Sequence, residues 1–406
     1  MKEKKQNSII GILGLVLILI YASYILYSML IKAADETEKY SFFSYLSLLI
    51  IPILLFTLLK NPVNNSALPK IFLIWLLYIL ILFILEYILN VVMLTSLTST
   101  ITEIVLPPLS FLFLYNMIKR KALTQEFVIK ICSVFFLFMV VLYFSYWGII
   151  QYNASVGRGY LQTNSAYFLI LILPVCMLIK NKYIRTIYIL IAFIVILSSF
   201  KRGGFLAFIL GLGVYGIIIL FRKQKLIGIL ILVLGLIIIG LSESYLTSLF
   251  ENNILFSRLQ RLGQDGGSGR ISIYEEIFNS LESSSFFQLL FGHGYNSVIK
   301  ITTEEVTAHN DFLEILYNYG IFAFFIYLLI HYQLLKKTIY CLKKRNTYAF
   351  SMTYTYVIFI ILSSISHIII YQYFLILIPY IALVFAKTEE EQVEESEIPE
   401  IQTDNS

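Results

Sequence analysis

The stretch YIRTIYILIAFIVILSSFKRGGFLAFILGLGVYGIIILF, residues 183–221, decides how the chain is read. Its two apolar runs, 183–200 and 203–221, are each about the length a helix needs to cross a hydrocarbon core about 30 Å thick. A helix satisfies its own backbone N–H and C=O groups there. Only Lys201 and Arg202, followed by Gly203 and Gly204, mark the turn between them. Outward from this pair, similar runs recur at 8–31, 41–59, 71–94, 98–118, 127–150, 165–180, 226–241, 312–335, 349–365 and 367–386. The pattern predicts an all-α, polytopic membrane protein with about twelve transmembrane helices. Composition agrees: 59% of the 406 residues are hydrophobic and 14% charged, against about 25% charged in soluble domains. A soluble enzyme is excluded. The first run follows Met1 and a short basic segment and is too long for a signal peptide, so it reads as the first span.

Charge sets the expected topology. Eight acids and no base follow Lys387, so the first 387 residues carry the chain's net +5 and eight charges more. With the N-terminus inside, twenty-one of the thirty bases face the cytoplasm, and the positive-inside rule then puts both termini there. The expected organisation is N-terminal helices at 1–150, helices with short outer loops at 151–241, a large extracytoplasmic loop at 242–310, C-terminal helices at 311–387 and an acidic cytoplasmic tail at 388–406. That tail reads as a solvated end. Within the loop, Gly263, Gly266, Gly267 and Gly269 precede Arg270. An amphipathic helix follows, with Ile271, Tyr274, Ile277, Phe278 and Leu281 on the face expected to lie on the membrane surface.

Few residues are left to carry chemistry. The only aspartates, Asp35, Asp265, Asp311 and Asp404, are scattered and form no paired-carboxylate metal site. No Gly-rich loop leads into Lys-Ser or Lys-Thr, so ATP-driven transport has no support. The basic residues fall in short clusters between apolar runs, a topology signal rather than a nucleic-acid surface. Cys132, Cys176 and Cys341 sit in or beside apolar runs and read as small core residues. The outward bases stand out: Arg158 before a span, Lys201 and Arg202 in a tight turn, and Arg270 where a glycine-rich segment enters a helix, a place suited to binding anions. His309, in Thr307-Ala-His-Asn-Asp-Phe-Leu-Glu314, sits at a helix entry with Thr307 or Asn310 able to cap. Its imidazole can accept a proton near neutral pH. His293, in Phe291-Gly-His-Gly294, is the second candidate, whereas His331 and His367 read as interface or packing histidines.

The order of these elements resembles the O-antigen ligase and polymerase superfamily over roughly residues 150–325. It runs from Gly157-Arg158 with Thr163-Asn164, through Ser198-Ser-Phe-Lys-Arg202-Gly-Gly, Gly269-Arg270 and Phe291-Gly-His-Gly294, to Ala308-His309-Asn310-x-x-Leu313-Glu314 and Gly320. Phe200-Lys201 departs from the family pattern, which has a small residue and Ser before the arginine. The resemblance implies transfer of a glycan from an undecaprenyl-diphosphate-linked oligosaccharide to an acceptor hydroxyl on the outer face of the cytoplasmic membrane, with no metal or cofactor. It assigns the diphosphate to Arg158, Arg202 and Arg270 and activation of the hydroxyl to His309. Lys201, Asn164, His293, Asn310 and Glu314 are supporting candidates, and a chain-length regulator is a candidate partner. High Ile, Lys, Asn and Tyr with low Ala and Gly suggest an AT-rich genome without a lipid A core to ligate, which favours a polymerase. A ligase, or a flippase of the lipid-linked unit using Glu86 and His367, is the alternative.

Overall fold

The structure is a computed structural model that describes residues 2–33, 50–55, 58, 66–88, 101–156, 165–199, 201–223, 270–303, 305–369 and 373–397. The described chain is helical, without strands. Its helices are α1 (Lys2–Ala33), α2 (Ala67–Ile88), a π-helical turn (Ile101–Val105) running into α3 (Leu106–Lys119), α4 (Gln125–Ser155), α5 (Ala166–Cys176), α6 (Lys182–Ser199) and α7 (Arg202–Lys223). After them come α8 (Arg270–Glu282), α9 (Phe286–Phe291), α10 (Ser297–Ile301), α11 (Asp311–Lys344), α12 (Ala349–Ile365) and α13 (Tyr373–Glu397).

Among the described residues, five segments are long and apolar enough to cross a membrane: Ser8–Ile31, Ala67–Leu85, Gln125–Asn153, Lys182–Ser199 and Asp311–Lys344. Ala166–Cys176, Gly203–Ile218 and Ala349–Ile365 are shorter apolar helices. Of the twelve expected spans, 226–241 lies outside the described residues, and 41–59 is described only at 50–55 and 58.

The bundle is layered. Residues 106–118 of α3, all of α5 and the first part of α13 are buried, and α13 packs on both α3 and α5. Around them stand α1, α2, α4, α6, α7, α11 and α12, whose outward faces are apolar. On α4, Val134, Leu137, Phe138, Val141 and Phe144 are exposed at helical spacing; on α6, Ile184, Ile187, Leu190, Ile194 and Leu197 are exposed. Contiguous exposed apolar area of this kind is costly in water and natural against lipid. The protein is thus a multi-pass membrane protein. All three cysteines are buried and free.

The basic residues sort by end. Lys119 pairs with Glu389, Lys344 with Glu395 and Lys180 with Glu126, and Gly11 near the start of α1 lies against Leu123 and Met117. This end holds the start of α1 and the end of α13. Lys201 and Arg270 lie at the other end, where α11 begins. The last span departs from expectation: it is non-helical through 366–369 and, as α13, begins at Tyr373 and continues to Glu397. Residues 388–397, expected as a solvated end, form helix: 388–391 are buried or half-buried on the bundle, while 392–395 are exposed. The reason is electrostatic: Glu389 accepts hydrogen bonds from Ser66 at 2.6 Å, Lys119 at 3.0 Å and Tyr115.

The amphipathic helix also differs in detail. In α8 the buried positions are Ile273 and Ile277, which join Val298, Ala308 and Tyr317 in a small second core, while Ile271 and Phe278 are exposed. Protein, not only membrane, covers one face of this helix.

One contact fixes the loop on the bundle. Gly320 interrupts α11 at φ 77°, and Gly292 after α9 has φ 85°. The break frees carbonyls of α11, so the His293 N–H donates to Tyr317 O at 3.0 Å and the Gly294 N–H to Asn318 O at 2.9 Å. A Cβ on Gly320 would sit 2.3 Å from Leu290 O, and one on Gly292 would sit 2.2 Å from Asn318 O. Gly320→Ala is therefore expected to lower stability, by about 1–3 kcal/mol from the backbone conformation alone and more from the clash. Gly213→Ala, with nothing within 4 Å of its Cβ, is expected to gain up to about 1 kcal/mol. Thermal unfolding in detergent checks both; equal effects would remove the tight contact from the account.

Candidate active site

The site assembles where helices start and stop. Asn310 caps α11, its side chain accepting from the N–H of Phe312 at 2.9 Å and of Leu313 at 3.2 Å. The residue before it, His309, is left-handed at φ 50°, a conformation costing a non-glycine residue roughly 1–2 kcal/mol. Neighbouring bonds hold it. The Ala308 N–H donates to Glu314 Oε2 at 2.8 Å, and the Asn318 amide donates to Glu314 Oε1 at 3.2 Å. Glu314 and Asn310 thus shape the turn that presents the imidazole.

Asp311, fully buried, joins this turn to the break after α12. Its Oδ2 accepts from the N–H groups of Ile368 at 2.9 Å and Ile369 at 3.1 Å and from Tyr327 OH at 3.3 Å. Its Oδ1 faces His367 Nδ1 at 3.4 Å, an ion-pair distance. His367 Nε2 meets Thr307 Oγ1 at 2.9 Å. The His309 and His367 rings are 5.4 Å apart. His367, read from the sequence as packing, is therefore part of the cluster. The other histidine so read, His331, does pack among Phe312, Tyr327 and Phe359.

Three further groups complete the cluster. The Lys201 ammonium lies 5.4 Å from the centre of the Tyr167 ring. Glycine allows this approach, since a Cβ at Gly204 would come within 3.2 Å of Tyr167 and one at Gly203 within 2.7 Å of Ile365 Cδ1. Arg270 is half-buried, and its Nε, shielded from solvent, has no hydrogen-bond partner among the described residues. Its charge reaches both Tyr167 and His309. Glu103, in the π-helical turn, accepts from Tyr295 OH at 2.7 Å and interacts electrostatically with His367. Sequence reasoning missed Tyr167 and Glu103, and gave His367 to packing or to a flippase path, because each sits in an apolar run. A carboxylate in such a run was the available signal.

His293 goes elsewhere. It stacks on Tyr317 at 4.1 Å, with Nε2 at 2.9 Å from Ser284 Oγ and Nδ1 at 3.1 Å from Tyr317 O. Both ring nitrogens are engaged in holding the loop. Arg158 and Asn164 lie outside the described residues, as does the side chain of Arg202, whose backbone begins α7. Among the described residues no group of His, Cys, Asp and Glu has metal-site geometry.

Residues 187–328 match the family model for O-antigen ligases. The segment contains Lys201, Arg202, Arg270, His293, His309 and Glu314, so the resemblance to the O-antigen ligase and polymerase superfamily holds over it, and it points to activity of the glycosyl-transferring kind. Tyr167 and His367 fall outside it. No curated protein matches the chain.

Burial first, then the nearby His367, Lys201 and Arg270, pulls the His309 imidazole down to about 3. It is neutral at physiological pH. Between about pH 6.5 and 3 the unfolded chain takes up a proton at this residue that the folded protein does not, so stability falls as pH falls through that window. His309→Asn is expected to lose less stability than the unaltered protein between pH 6.5 and 4, read by thermal unfolding in detergent. Identical pH dependences would show that the ring is not held neutral.

Proposed function

We propose that the protein is an inverting, metal-independent glycosyltransferase. It moves a glycan from an undecaprenyl-diphosphate carrier to a sugar hydroxyl of a lipid-linked repeat unit on the outer face of the cytoplasmic membrane, and so polymerises a surface polysaccharide. The observation that carries the reading is His309, presented on a left-handed turn before the Asn310 cap, 5.4 Å from the His367 ring and within electrostatic reach of Lys201 and Arg270. The cations bind the diphosphate. As the acceptor hydroxyl attacks C1, its proton passes to the His309 imidazole. The C1–O pair leaves with the diphosphate, whose growing charge Lys201, Arg270, Arg158 and Arg202 stabilise. Attack opposite the leaving group inverts the anomeric centre. Asp311 and His367 act as positioning residues: they fix the turn carrying His309 and touch no reacting atom.

A bound diphosphate also changes the base. An anion beside Lys201 and Arg270 offsets their share of the field that opposes protonation of His309 and raises its basicity. Proton acceptance then follows donor binding. The high Ile, Lys, Asn and Tyr usage supports polymerase over ligase.

His309→Gly tests the assignment cleanly, because glycine accepts the left-handed backbone and keeps the fold. We expect a loss of about 10²- to 10⁴-fold in glycan joining, with single lipid-linked repeats accumulating in cells. Arg270→Gln is expected to weaken donor use with the fold intact. Polymer of normal length from the His309 variant would sink the catalytic role, and transfer onto a non-isoprenoid acceptor would mark a ligase. Translocation of the lipid-linked unit without any joining would mark a flippase.

A further inference from the structure

At the end of the bundle away from His309, a cavity of about 690 Å³ opens between helices. Ser66, Ala67 and Leu68 line it where α2 begins, Lys119 at the end of α3, and Gln333, Lys336, Lys337 and Tyr340 on α11. Phe385, Glu389, Gln392 and Val393 of α13 close it. Tyr373, packed on Tyr167 at the His309 end, begins α13, and Glu389 lies sixteen residues along it, about 24 Å at 1.5 Å per residue. The cavity and the candidate active site thus lie at opposite ends of the bundle.

The charges in the cavity do not balance. Lys119 is committed to Glu389, the one carboxylate lining it, and Glu389 is already bonded to Ser66 and Tyr115. Lys336 is exposed. Lys337 is only 9% exposed. Its ammonium lies 4.9 Å from the centre of the Phe385 ring and 5.4 Å from that of Tyr340, with no carboxylate bonded to it among the described residues. A nearly buried ammonium lining a cavity, held over aromatic rings beside a second lysine, is a receptor for an anion. The lipid-facing stripe on α11 continues beside it, with Tyr332, Leu335 and Ile339 exposed.

We propose that this cavity binds the phosphate headgroup of an anionic phospholipid of the leaflet opposite the active site, with Lys336 and Lys337 on the phosphate and the acyl chains along Tyr332, Leu335 and Ile339. Basic pockets between transmembrane helices recognise such lipids because inner leaflets are anionic and the site adds desolvated charge. The bound lipid bridges α2, α11 and α13, and so clamps the docked acidic helix to the bundle.

The test uses the full-length protein in nanodiscs of phosphatidylcholine with and without phosphatidylglycerol, followed by native mass spectrometry of the lipid retained on release. Phosphatidylglycerol should be retained over phosphatidylcholine, and the K336Q/K337Q double variant should lose that preference about tenfold. K343Q, on the same helix outside the cavity, should keep it. Should the double variant fail to fold, K336Q alone, altered at an exposed position, should show a partial loss. Equal retention of the two lipids, or equal loss in K343Q, overturns the proposal. So does displacement of the lipid by millimolar inorganic phosphate, which would make the cavity a site for the free ion.

Discussion

The active end depends on one buried carboxylate. Asp311 begins a helix of 34 residues and reaches across to the break after α12, where two backbone N–H groups have lost helical partners. An unpartnered buried N–H costs roughly 1–3 kcal/mol, and an unpaired buried carboxylate more. Each therefore needs the other. The pairing fixes where α11 starts relative to α12, and with it the positions of His309 on one side and His367 on the other. Much else at this end, from the Asn310 cap to the Thr307 hydroxyl on His367, elaborates that junction.

Irregular backbone within a membrane protein survives only where protein covers it. The breaks observed meet this condition in different ways: Ile368 and Ile369 give their N–H groups to Asp311, and the Gly320 kink leaves the carbonyls of Tyr317 and Asn318 to the loop at His293 and Gly294. Tyr78 of α2 adds a hydroxyl to Tyr319 O at 2.8 Å. The long loop is thus held by the same groups that the broken helix leaves unsatisfied, so the kink and the docked α9 are one structural device.

The apolar runs of the sequence carried the helices well, because lipid demands uninterrupted hydrophobicity and the 183–221 stretch meets it on both sides of a charged turn. Breaks inside such runs were not legible. The run at 367–386 reads as continuous, yet the bonds that unwind its start come from Asp311, 57 residues earlier. His367 was misjudged for the same reason: in sequence it lies among isoleucines, while in space it lies between Thr307 and Asp311. The face of α8 was misread because hydropathy does not say whether lipid or protein covers a residue. His309, Arg270 and Lys201 were legible because charge is so scarce in the chain that each cation between spans demands a reason. The docked acidic helix was not, since a run of glutamates looks solvated until Lys119, Tyr115 and Ser66 are brought beside it.

The two ends of the bundle use charge differently. At the Lys119 end, Lys119 and Lys344 meet carboxylates of α13, and Lys336 and Lys337 stand beside them without such a bond among the described residues. At the His309 end, Lys201 and Arg270 act in concert on one ring, while Asp311 and Glu314 accept from backbone N–H groups and Glu103 accepts from Tyr295. Under the proposed function, the diphosphate brings its negative charge to Lys201 and Arg270. Burial is the first reason that His309 is a poor base, and Lys201 and Arg270 add to it. Donor binding then offsets the cations' share and favours acceptor activation without any moving part, because the field that binds the diphosphate is the field its charge opposes.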